Sequence, residues 1–151
     1  MKKYCFTNET MTLARDFTTY HDNKFHKLST KDSVSSDAYR VTLRRIKALI
    51  DIPFYDVEAG DLGGWIESEW NLKNTDELPA WVADDACVFE EAIVYGYANC
   101  EAQIYGKSRV FGTVSDNATV CGKSFVNPDA IVDNDSYVYN AEIVANSYNR
   151  H

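Results

Sequence analysis

A chain of 151 residues with 45% hydrophobic and 25% charged residues has the size and composition of one folded domain, which excludes a wholly disordered polypeptide. The net charge of −8 is unevenly spread: residues 1–60 carry 10 Lys and Arg against 8 Asp and Glu, whereas residues 61–151 carry 5 against 15. That sign argues against a nucleic-acid binder, because phosphates demand positive charge, and suits a solvated surface, a basic protein partner or mimicry of a polyanion.

No apolar run reaches the roughly 20 residues of a membrane helix. The opening MKKYCFTNET has neither an apolar h-region nor a small-residue cleavage site, so a cytoplasmic protein is expected. Cys5, Cys87, Cys100 and Cys121 form no CxxC pair and fit no zinc spacing. Free thiols, mostly buried, are the expectation in a reducing compartment.

Residues 1–72 show no repeat and read as an N-terminal cap region. Tyr4, Phe6, Met11 and Leu13 suggest short strands, and Thr18 to Asp37 reads as a polar loop or loose hairpin. The β-branched run Val41 to Ile50 predicts a strand that covers the open first coil, since terminal repeats need caps. Arg40, Arg44, Arg45 and Lys47 form a candidate basic cluster, either gripping phosphate or acid groups or pairing with the protein's own acidic half; the overall charge favours the second. Gly60-Asp-Leu-Gly-Gly-Trp65 lacks the GK[ST] ending of a phosphate loop. We read it as a turn into the first strand, with glycines supplying special backbone angles and Trp65 as a lid on the coil interior.

From Ala80 onward a small residue, any residue and a branched apolar residue recur: Ala80-Trp-Val82, Ala86-Cys-Val88, Ala92-Ile-Val94, and so on to Ser136-Tyr-Val138. The step is six residues, except Cys100 to Ile104 and Val110 to Val114, where it is four. A helical period of 3.6 cannot generate this. Small-x-Val is a short strand with two inward positions, and the Gly and Asn residues between strands tolerate the φ > 0 of sharp corners. Wrapping every third step predicts three inner ladders. The first face carries Val82, Cys100, Val114 and Val132, the second Val88, Ile104, Val120 and Val138, the third Val94, Val110, Val126 and Val144. About four triangular coils result over 73–145, followed by a tail at 146–151.

These repeats resemble the hexapeptide-repeat proteins, which implies a left-handed parallel β-helix. A closer resemblance is to a family of uncharacterised bacterial and phage proteins. Its members have a stretch like Tyr39-Arg-Val-Thr-Leu-Arg-Arg-Ile-Lys-Ala-Leu49, then Gly60-Asp-Leu-Gly-Gly-Trp-Ile-Glu67, then Asn71-Leu72 and the repeats. The chain departs from that pattern at Asn74 to Trp81, where the family has a Gly-Asn-Cys-Trp-like segment. The fold class expected is therefore all-β: a single left-handed parallel β-helix with a small N-terminal β cap.

Outside the predicted core, Phe89, Tyr105 and Tyr139 follow the second-face ladder, and Tyr95, Phe111 and Phe125 belong to the third. These six aromatics are the candidate interaction surface, read either as a solvent-facing stacking ladder or as a partner site. Ala83, Glu101, Ser115 and Asp133 make the first face look solvated.

Enzymes on this fold use a coil histidine as general base or three histidines for zinc, yet His21, His26 and His151 all lie outside Ala80–Val144. No catalytic residue, cofactor site or metal site is assigned. The expected function is a non-enzymatic protein-interaction module, such as a phage-encoded inhibitor or sequestering protein acting on a host defence factor. Alternatives are a small-molecule or nucleotide binder at a subunit interface and, less favoured, an acyltransferase-like enzyme. The last coil leaves strand edges open, so self-association is expected, a dimer ahead of a trimer, with a protein partner and with neither nucleic acid nor membrane.

Overall fold

A computed structural model describes residues 2–15, 24–27, 39–73, 79–144 and 146–148, the last three in backbone only. The stretch Thr18–Asp37, read above as a loop, lies largely outside the described residues, as do His21 and His151. Four N-terminal strands, β1 (Tyr4–Arg15), β2 (His26–Lys27), β3 (Tyr39–Ala48) and β4 (Leu62–Ile66), precede a stack of strands two or three residues long. These short strands pair in parallel along three faces, giving the left-handed parallel β-helix of about four turns expected from the repeats.

The inner ladders match the expected wrap on the second face and differ on the other two. On the second face Ile66, Val88, Ile104, Val120 and Val138 stack in register. On the first, Val82 is followed by Ala98, not Cys100, and then by Val114 and Val132. The third runs Val94, Val110, Val126 and ends on Ile143, leaving Val144 exposed. The short step thus lies one repeat earlier than predicted, from Val94 to Ala98, and Cys100 is a corner residue with φ 57°. Gly96 is the reason. A Cβ there would sit 2.3 Å from the Gly112 carbonyl oxygen, so only glycine lets the chain turn this tightly against the next coil. The stack also begins before residue 73, because Ile66 pairs with Val88 and Leu72 bridges to Val94.

Two of the three corner columns share one conformation. Asp84, Cys100, Asp116 and Asn134 form one column, and Glu90, Gly106, Gly122 and Asn140 the other, all left-handed. Side-chain oxygens there also join successive coils. Asp84 Oδ2 accepts from the Cys100 N–H at 3.1 Å, Asp116 Oδ2 from Asn134 at 2.9 Å, and Glu90 Oε1 from Gly106 at 2.9 Å. Acidic and amide residues suit these corners for two reasons: they tolerate φ > 0, and they satisfy an amide that would otherwise lack a partner. Asp84 and Glu90 are therefore built into the frame.

The expected strand over 41–50 is β3. It pairs antiparallel with β4 and with β1, so the N-terminal sheet prolongs the second face beyond the first coil. Its two sides serve different cores. Val41 and Leu43 join an outer cluster, whereas Ile46 and Ala48 join the main core with Tyr4, Ile52, Val57 and Trp81. Trp81, not Trp65, is the tryptophan of the coil interior; Trp65 lies in the outer cluster. Successive strand residues point to opposite faces, and Ile66, not Trp65, takes the inward position. Of the motif's glycines only Gly60 needs a special angle, at φ 97°. Gly63 and Gly64 are required by closeness: a Cβ would lie 2.6 Å from the Trp81 ring and 2.6 Å from the Ala86 carbonyl oxygen, respectively.

Candidate interaction surfaces

The six aromatics singled out from sequence divide into three groups. Phe89 and Tyr105 stack at 5.0 Å but are buried rather than solvent-facing. The N-terminal sheet folds back over them, bringing Leu13, Phe25, Val41 and Leu43 onto the row with Trp65, Cys87 and Cys121. Phe25 supplies the closest cover, with ring centroids 4.8 Å from Phe89 and 5.1 Å from Tyr105. Nothing in its polar sequence neighbourhood announces this contact.

Tyr95, Phe111 and Phe125 form the second group and remain half-exposed. Tyr95 lies flat on Phe111, centroids 4.2 Å apart and planes within 3°, and Phe125 follows at 5.1 Å. Beside this column the outward positions of the first face carry Tyr97, Thr113 and Ile131. The expected solvated side is thus partly apolar, because the residue preceding each inward position points outward as well. Tyr55 stacks on Tyr97 at 4.3 Å, and neighbouring Phe54 stands 76% exposed. Together they bound an open groove of about 350 Å³ lined by Phe54, Tyr55, Pro79, Tyr95, Phe111, Pro128 and Ile131, with Asp129 on its wall. The adjoining segment 51–61 holds Asp51, Asp56, Glu58 and Asp61 and no Lys or Arg. Lys73, 5.9 Å from the Tyr95 ring, is a cation near the column.

Tyr139 stands alone in the third group. It is 58% exposed on the last strand of the second face, beside Tyr137. The Cys121 thiol donates to the Tyr137 hydroxyl at 3.4 Å.

The four basic residues do not converge. Arg40 and Arg44 lie on one side of β3, Arg45 and Lys47 on the other. The Arg44 guanidinium covers the Phe6 ring at 3.8 Å. Arg45 is held by the protein itself: it stacks 5.1 Å over Trp65, its Nε donates to the Gly63 carbonyl at 2.9 Å, and it reaches the Asp84 carbonyl and the Asp85 carboxylate at 3.2 and 3.9 Å.

Burial holds several phenols and the Cys87 thiol neutral. Burial, reinforced by the Glu69 charge, pushes Tyr4 up to about 12. Burial, then Asp85, does the same to Cys87, an environment that makes its thiol inert. Burial and the bond with Cys121 raise Tyr137 to about 12, and burial raises Tyr39, Tyr55, Tyr97 and Tyr105. A phenol whose folded pKa exceeds its unfolded value of 10.0 contributes stability that is complete below pH 10 and is lost as pH rises toward 12. Unfolding near pH 11, read by circular dichroism, should coincide with cooperative appearance of tyrosinate absorbance. Gradual tyrosinate formation with the fold retained would show that the phenols are accessible.

All four thiols are free. Among the described residues no group of three His, Cys, Asp or Glu side chains is placed to hold a metal ion, and no helix is long and apolar enough to cross a membrane. Compared with family models and with curated proteins, the chain matches none.

Proposed function

We propose that this chain is a non-enzymatic protein-interaction module that docks a partner in the aromatic groove beside Tyr95, Phe111 and Phe125. The carrying observation is the contrast between the two aromatic rows: the N-terminal sheet seals Phe89 and Tyr105, whereas the third-face column stays open next to an exposed Phe54 and Ile131. Large apolar patches rimmed by charge favour contact with another molecule. Asp129 lines the groove, and the segment 51–61 that supplies Phe54 and Tyr55 carries four carboxylates and no cation, so the partner is a protein segment with an apolar anchor flanked by Lys or Arg. A rigid frame that removes such a partner from solution suits the sequestering role expected of an inhibitor. The absence of histidine from Ala80–Val144 supports a non-enzymatic reading.

Phe54→Glu and Ile131→Glu change exposed positions and should alter stability by less than about 0.5 kcal/mol each. Affinity capture with the wild type and with this folded double variant, read by mass spectrometry, tests the groove. The reading requires basic proteins retained by the wild type and lost by the variant. Identical captured sets would remove it. Light scattering separates the other occupant: a wild-type oligomer that the variant turns into monomer would assign the groove to a second copy of this chain.

A further inference from the structure

Phe25 sits in a socket built for more than ring packing. Its backbone N–H donates to Gln103 Oε1 at 2.9 Å, and its carbonyl accepts from Gln103 Nε2 at 2.7 Å. One amide side chain thus reads both backbone groups of one residue, as an adjacent strand would, and does so whatever the side chain of that residue. Side-chain choice comes from the rings. Phe25 meets Phe89, Tyr105 and Tyr39 edge to face, at 4.8, 5.1 and 5.8 Å. The cavity of about 390 Å³ beside the socket is lined by Asp85 and Glu101 together with Lys24, His26 and Lys27, so carboxylates and the basic residues that flank Phe25 share one space, although Arg45 already reaches Asp85 at 3.9 Å. The Lys24 ammonium also donates to the Asn117 carbonyl. Among the described residues, the ladder that holds this segment to the N-terminal sheet pairs His26 with Ala14 and Lys27 with Leu13.

We infer that this socket is a peptide-recognition site for an extended segment carrying Phe between basic residues. Residues 24–27 fill it in cis, and the same chemistry on another chain can fill it in trans. The backbone grip, the three rings and the flanking carboxylates are the parts of a strand-capture site. It lies on the second face and does not depend on the third-face groove.

The test uses the full chain and a fluorescein-labelled peptide of residues 22–29, followed by anisotropy. Phe25→Ala removes the ring and leaves only the backbone on Gln103, so the labelled peptide, which offers both, should displace the weakened cis segment and bind. The wild type should bind at least about tenfold more weakly, because its own Phe25 competes at high effective concentration. Adding Gln103→Ala to Phe25→Ala should weaken binding by about tenfold, the loss of two backbone hydrogen bonds. A peptide carrying Phe25→Ala should not bind. If Phe25→Ala does not fold, Phe25→Leu, which keeps apolar bulk but loses the ring contacts, takes its place in every comparison. No saturable binding by the folded variant at about 1 mM peptide, or equal binding by wild type, single and double variants, overturns the proposal.

Discussion

Val120→Asp is expected to abolish the folded state. Val120 is fully buried in the middle of the second-face ladder, in register with Ile104 on one coil and Val138 on the next. No cation or donor belongs to that column, so the new carboxylate would be charged without a partner or protonated at a large free-energy cost. Either outcome amounts to several kcal/mol, comparable with the roughly 5–15 kcal/mol that holds a whole domain together. Circular dichroism should show a chain without its strand signal at room temperature. An unchanged melting curve would mean that position 120 faces outward and that the register is wrong.

Asn71→Ala should cost roughly 2–5 kcal/mol, although it removes no apolar core. Asn71 is fully buried, with Oδ1 accepting from the Glu67 and Ser68 N–H groups at 3.1 and 2.7 Å. Its Nδ2 donates to the carbonyls of Glu90 and Ala92 at 3.2 and 2.8 Å. Two of those four groups have other partners: the Glu67 N–H reaches Val88 and the Glu90 carbonyl accepts from Trp70. Loss of the amide therefore leaves chiefly the Ser68 N–H and the Ala92 carbonyl unsatisfied, which sets the magnitude. Urea unfolding would measure it. Asn71→Asp keeps the acceptor but turns the donor into an oxygen that faces the Glu90 and Ala92 carbonyls and buries a charge, so its midpoint at neutral pH should fall to that of Asn71→Ala or below. A cost below about 0.5 kcal/mol for Asn71→Ala would show that water replaces the amide.

How much of this was legible depended on periodicity. The second-face ladder is the same wherever the first four-residue step is put, because Val88, Ile104, Val120 and Val138 stay three steps apart either way. The misplaced Cys100 shows the limit. A small residue followed two later by an apolar one looks like a strand, and nothing local reveals that Ala98 is inward while Cys100 turns the corner. Gly96 decides it, through an approach to the next coil that only a folded chain possesses. Likewise Phe89 and Tyr105 were placed outside the inner core, as they are, but their cover comes from Phe25, in a stretch with no period of its own. A contact between segments some 64 to 80 residues apart, without repetition, leaves no trace in the order of residues. Asn71 stands out in the sequence only through the resemblance; its role needs four backbone groups to converge from two coils.

The corners are not equivalent, and this has a consequence for how such a surface can change. Side chains tie two columns of corners from coil to coil, and their strands keep a six-residue step until the last corner, where Val138 to Ile143 spans five. The third is free to differ: Val94 to Ala98 and Val110 to Val114 span four residues, whereas Val126 to Val132 spans six through Asn127-Pro128-Asp129. Every ladder stays in line across both lengths. The third corner is thus a slip joint, able to take residues in or give them up while the remaining two sides of the triangle keep their register. Tyr95, Phe111 and Pro128 stand on that joint, at the mouth of the open groove. Insertions there would remodel the contact surface and spare the frame, so variety in what the molecule touches can accumulate without loss of the coil that carries it.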